Sequence, residues 1–181
     1  WAFQSIREVN PPRVNNETWV KNPIDRFILA KLEEANLQPA PLAPIHVLNR
    51  RAHFALTGLP PEEKSEFNNP KSEIDRLLKS PRYGEHWARH WLDVARYADN
   101  KGYVFFEEKT FPWAWTYRDY VIGSLNDDKP FDQFIIEQLA ADRLDLGDDQ
   151  TPLTALGFLT LGARFSGNIH DILDDRIDVT T

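Results

Sequence analysis

The sequence predicts an all-α fold, an irregular multi-helix domain of about eight helices behind an extended, proline-rich N-terminal arm. Apolar residues recur at three- and four-residue spacing along most of the chain, the period of a helix with one buried face. A capping residue followed directly by proline, the ordinary signature of a helix start, occurs at Asn22-Pro23 and again at Ser80-Pro81. Alternating apolar and polar residues, the mark of a half-buried strand, never persist for a useful length, and only residues 103–106 suit a brief extended piece. With 181 residues, 41% hydrophobic and 27% charged, the chain has ordinary globular composition and enough length for one domain. We read residues 1–22 as the arm and 23–181 as the helical body of that domain.

The arm carries Pro11 and Pro12 among asparagines and charged residues, with Trp1, Phe3 and Trp19 as apolar anchors. Pro23 then opens a helix in which Ile24, Phe27, Ile28, Leu32 and Ala35 share a face, until Asn36 and Pro39 stop it. A second helix spans about 44–56, with Leu48, Ala52 and Leu56 in line and Gly58 placed as its stop. Pro60-Pro61 opens a short acidic stretch of helical character, and Ser72 reads as the cap of a helix holding Ile74, Leu77 and Leu78. Residues 83–99 form the most distinctive stretch, where Trp87, Trp91, Val94 or Ala95, and Ala98 line up as the face expected to be buried. Further helices are expected at about 113–126, 130–141, 151–161 and from 168 to the end.

Composition removes several classes of function. The formal net charge of −7 repels phosphate backbones, so no nucleic-acid partner is expected. Cysteine is absent, which excludes disulfides, thiolate metal sites, thiol nucleophiles and thioether-linked haem within the 181 residues. No run of 18 apolar residues offers a membrane span. Serine-hydrolase elbows, Walker loops and dinucleotide-binding glycine motifs are also missing. A start at Trp1 and a lack of methionine read as a processed chain or an excised piece.

Three constellations carry chemistry. His86, His90 and Asp93 lie at i, i+4 and i+7 of one helix, so one face offers two imidazoles and a carboxylate to a metal. The bland alternative joins Glu85, Arg89, Asp93 and Arg96 in ion pairs at three- and four-residue spacing and leaves the histidines at the core edge. The hydrolytic H-E-x-x-H motif is absent, because the stretch reads His86-Trp87-Ala88-Arg89-His90. Aromatic residues crowd the region from 83 to 120, which holds 12 of the chain's 22, as either a bulky core around the central helix or a platform for sugars would require. Within it, Trp113 and Trp115 are candidates for stacking on carbohydrate, and their spacing of two sends them to different sides of a helix. An acidic turn at Asp142, Asp145, Asp148 and Asp149 fails as a calcium loop, because Leu144, Leu146 and Leu153 fall where oxygen ligands are required.

Several motifs together resemble one family: Asn22-Pro23-Ile24-Asp25-Arg26-Phe27, Leu56-Thr57-Gly58-Leu59-Pro60-Pro61, SPRYGEHWARHWLDVARYAD at 80–99, Tyr117-Arg118-Asp119-Tyr120-Val121-Ile122, Pro130-Phe131-Asp132-Gln133-Phe134 and Asp174-Asp175-Arg176-Ile177-Asp178. The chain is similar to the domain of unknown function that accompanies planctomycete-type cytochrome c domains in large secreted proteins. That resemblance implies export to the periplasm or cell surface, and an adjacent haem c segment and a C-terminal domain of the same protein as partners. It implies no cofactor within this chain and haem c in the full-length protein. No catalytic role carries over, although His90 and Asp93 fall in the family's W-A-R-H-W-L-D motif. The expected role is a scaffold packed against the haem c segment, with His90 or His86 best placed as axial or supporting imidazole. The alternative is a polysaccharide-active enzyme, with Asp93, Asp99 or Asp119 as acid and base, or a carbohydrate-binding module that uses the aromatic cluster.

Overall fold

Residues 4–5, 7–62, 69–98, 112–161 and 169–180 are described by the computed structural model of the chain. Among them are seven α-helices, two 3-10 helices and no strand, the all-α class that the periodicity predicts. Trp1, Phe3 and the extended piece suggested at 103–106 lie outside the described residues, as does most of the acidic stretch after Pro61; residues 60–62 are not helical. Contacts divide the chain into two compact units, 1–44 and 45–181.

The first unit is built on α1 (Pro23–Glu34). Asn22 accepts hydrogen bonds from the Ile24 and Asp25 amides, and Asp25 accepts one from the Asn22 amide at 3.0 Å, a reciprocal capping box. At the other end Asn36 sits at φ 55°, and Leu37 donates back to the Leu32 carbonyl at 2.8 Å, which completes a Schellman stop without glycine. Glu33 holds the preceding segment, accepting from the Asn15 amide at 2.9 Å and the Asn16 amide at 3.2 Å, and Arg26 makes a two-pronged pair with Glu17.

The second unit contains α2 (Ile45–Thr57), α3 (Pro70–Leu78), α4 (Pro81–Val94), α5 (Trp115–Asn126), α6 (Phe131–Ala140) and α7 (Ile169–Thr180), with 3-10 helices at Ala141–Arg143 and Thr151–Thr160. Helix α4 packs on α5 and α2, α2 also meets α3, and the long 3-10 helix lies against α5, α6 and α7. The core gathers Ala88, Tyr117, Tyr120, Val121, Phe134 and Ala155, with Trp91 and Phe158 packed on it.

Four local readings change. Asn69, not Ser72, caps α3: its side chain accepts from the Lys71 and Ser72 amides, because Pro70 is already the first helical residue. Helix α4 ends at Val94 rather than running to residue 99, because Arg96 adopts φ 58° and Tyr97 donates to the Leu92 carbonyl at 2.9 Å, again a Schellman stop. The expected face of α4 is buried only in part: Trp91 packs on the core and Ala95, the alternative to Val94, is buried, whereas Trp87, Val94 and Ala98 are exposed and Gly84 and Ala88 face inward. Close approach of α5 is the reason, since a Cβ on Gly84 would stand 2.5 Å from the Ile122 carbonyl oxygen. Residues 151–160 form a 3-10 helix, and two threonines suit it, Thr154 and Thr160 each donating to the carbonyl three residues back.

Candidate functional site

The candidate site is a cleft on one flank of Tyr117, and its other flank is a closed polar network. The Tyr117 hydroxyl donates to Gln138 Oε1 at 2.6 Å, and Trp91 Nε1 lies 3.0 Å from both of those oxygens. Gln138 Nε2 returns a hydrogen bond to the Phe134 carbonyl at 3.0 Å. One turn along α5, Tyr120 donates to Glu137 Oε2 at 2.9 Å; Lys129 pairs with the same oxygen and Gln133 donates to the other. Burial pushes both tyrosine hydroxyls well above their ordinary pKa, and for Tyr120 the Glu137 carboxylate adds to the shift. Burial by itself would raise Glu137, but hydrogen bonds from Lys129, Tyr120 and Gln133 outweigh it and hold the carboxyl below the ordinary range.

Across the Tyr117 ring opens a cleft of about 320 Å³, near the lower end of the ~300–1,000 Å³ typical of ligand sites. Its walls include Arg96, Tyr97, Trp113, Thr116, Tyr117 and Gly157. The Schellman stop of α4 delivers Arg96 and Tyr97, the turn before α5 delivers Trp113, and the long 3-10 helix supplies Gly157, where a Cβ would fall 2.7 Å from Tyr117 Cβ. Trp113 is 71% exposed, and its ring lies 6.3 Å from that of Trp115 at 43°. The two tryptophans are therefore neighbours rather than opposed, because Trp113 precedes the helix that Trp115 begins. Trp113 lines the cleft and Trp115 is not among the residues forming its walls. Among the described residues no ion pair or side-chain hydrogen bond engages the Arg96 guanidinium. Thr116 donates its hydroxyl to the Trp113 carbonyl at 2.8 Å, which leaves the oxygen free to accept. No described wall residue is a carboxylate or an imidazole.

His86, His90 and Asp93 all lie on α4, and none of them lines this cleft. The imidazoles of His86 and His90 meet edge to face at 5.9 Å, with the Trp87 ring 5.3 Å from His90. His86 is half-buried over Gly58, whose φ of 70° and lack of a side chain admit the ring; His90 and Asp93 are exposed. Desolvation, then the charges of Arg89 and His90, lowers the His86 pKa, which favours its neutral form. Among the described residues no three His, Asp or Glu side chains group as a metal site would need. Glu85 pairs with Arg82 at 2.9 Å, not with Arg89 as the helical spacing suggests. Asp119 pairs with Arg118 at 3.2 Å on the surface, and Asp99 lies outside the described residues. In α2 and α3, His53 Nε2 contacts Glu73 Oε1 at 3.1 Å; an Arg76 fork on the same carboxylate, opposed by burial and aided by His53, takes the Glu73 pKa down to about 2.

Sequence reasoning identified Trp113 but missed Arg96 and Tyr97 as cleft residues and Gln138 and Glu137 as anchors of the network. Arg96 had been placed inside a helix, where it would join an ion-pair ladder; the left-handed turn that redirects it is stabilised without a glycine to announce it. Gln138 and Glu137 sit in a run of apolar residues, and nothing local marks them as buried partners of tyrosines some twenty positions away.

Among the described residues no helix is long and apolar enough to cross a membrane. No curated protein and no solved structure matches the chain significantly. Residues 23–181, nearly the whole chain, match a family described as a protein of unknown function (DUF1549). The chain belongs to that family, PSCyt2.

Proposed function

We propose that this chain is a binding and packing module rather than a catalyst: the helical scaffold of an exported multidomain protein, against which a haem c segment and a C-terminal domain pack. One contrast carries the proposal. The buried carboxylates and phenols are consumed by internal partners, whereas large apolar side chains stand exposed, with Trp113 beside the cleft and Ile169, Leu173 and Ile177 as a stripe along α7. Haem c, when bound to the full-length protein, supplies electron transfer. The ligands on this chain suited to it are His90, an exposed imidazole flanked by Trp87, and His86 beneath it, already biased to the neutral form that binds iron. A haem stain and visible spectrum of a longer version of the protein, continuing past residue 181, test this against the present chain. Haem confined to the longer protein, with ligation altered in His90→Ala, supports the role; a colourless longer protein overturns it. An unchanged spectrum in both His86→Ala and His90→Ala removes the imidazoles alone.

A second reading, carbohydrate binding at the aromatic cleft, is favoured by the exposed Trp113 face over a cavity of one-ring size. The lack of a carboxylate among the described wall residues supports binding there rather than glycoside hydrolysis, which needs two.

A further inference from the structure

We propose that the cleft between Arg96 and Trp113 selects a sugar ring bearing a carboxylate, a uronic-acid unit of an acidic polysaccharide. This rests on the carbohydrate reading of the cleft and adds the ligand's charge. The guanidinium of Arg96 is the cleft's one described charge, and no partner among the described residues satisfies it. A planar fork with unused donors matches a carboxylate in two parallel hydrogen bonds. The wall rings Tyr97 and Tyr117 are tilted by 40° to one another, so this pair forms no parallel slot to grip a flat aromatic acid on both faces. A puckered sugar needs only one aromatic face against its C–H groups, and Trp113 offers one. The Thr116 oxygen, with its proton committed to the Trp113 carbonyl, is an acceptor for a sugar hydroxyl. A net charge of −7 opposes an anionic ligand at long range, but salt screens that repulsion beyond about 8 Å, whereas contact with Arg96 survives.

The test is binding of trigalacturonate and of its fully methyl-esterified form, which keeps the rings and removes the charge, measured by calorimetry on the full chain at physiological salt. The acid should bind at least tenfold more tightly than the ester. Arg96→Asn, whose side chain tolerates the left-handed turn, should erase that preference, and Trp113→Ala should abolish binding of both sugars while circular dichroism stays unchanged. Equal binding of acid and ester, or a preference that survives Arg96→Asn, overturns the charge selection and leaves the carbohydrate reading standing. No binding of either sugar by the folded chain overturns both.

Discussion

On the network side of Tyr117, hydroxyl, indole N–H, amide and carboxylate groups meet one another within the protein. On the cleft side, a few ångströms away, a guanidinium lacks a described partner and an indole ring stands mostly in solvent. Both sides use the same residue types, aromatic rings beside one or two polar groups; what differs is whether the polar valences are filled internally. A filled network fixes how α5 and α6 meet and leaves nothing for a ligand. Trp113, mostly exposed, and Arg96, whose guanidinium has no described partner, bury or satisfy little, and side chains that do little for the fold are free to serve recognition.

Substitutions can break this contrast from either side. Glu137→Leu should have the largest effect, because it strands Lys129 and the Tyr120 hydroxyl without their acceptor; a loss of about 3–5 kcal/mol is expected in urea unfolding. Next, Gly84→Val should cost about 1–3 kcal/mol by forcing α4 away from the Ile122 carbonyl and the Asn126 side chain, with a lowered thermal midpoint as the readout.

Acidification should weaken the second unit in two steps. Folded His86 resists a proton that the unfolded chain accepts, so the unfolded state binds more protons and stability declines as pH falls below about 6.5. Glu73 has its folded pKa depressed to about 2 from an ordinary 4.5, so its contribution is full above about 4.5 and disappears as pH falls toward 2. Denaturant titrations across pH should lose the first step in His86→Gln and the second in Glu73→Gln. Trp113→Ala should have the smallest effect on stability, within about 0.5 kcal/mol, since its ring is mostly exposed. A larger loss would show that the cleft is part of the structural core and so erase the distinction between the two sides.

Much of the helical framework was legible in the sequence. Asn22-Pro23 and Ser80-Pro81 marked their starts correctly, because capping chemistry acts within four residues and needs no tertiary partner. What depended on neighbours was misplaced. Helical spacing aligned Trp87 and Trp91 with Val94 or Ala95 as the inward face; Trp91 and Ala95 do face the core, yet α5 approaches α4 closely enough that small Gly84 and Ala88, not Trp87, fit between them. The stop at Arg96 was hidden for a related reason: an arginine in the left-handed region is held there by two backbone hydrogen bonds, and local preference would not choose it. As a result half of the cleft went unread, while Trp113, whose exposure follows from its place just ahead of a helix, was recognised.

The 3-10 winding of Thr151–Thr160 has a mechanical consequence for the cleft it borders. Ten residues wound this way reach about 20 Å, whereas the same ten wound as an α-helix would reach about 15 Å. The element thus holds about 5 Å of slack in its pitch. Relaxing part of it to an α-helix would shorten the element and shift Gly157 and Thr160, so the winding of this backbone, as well as the rotation of side chains, bears on the shape of the wall they form.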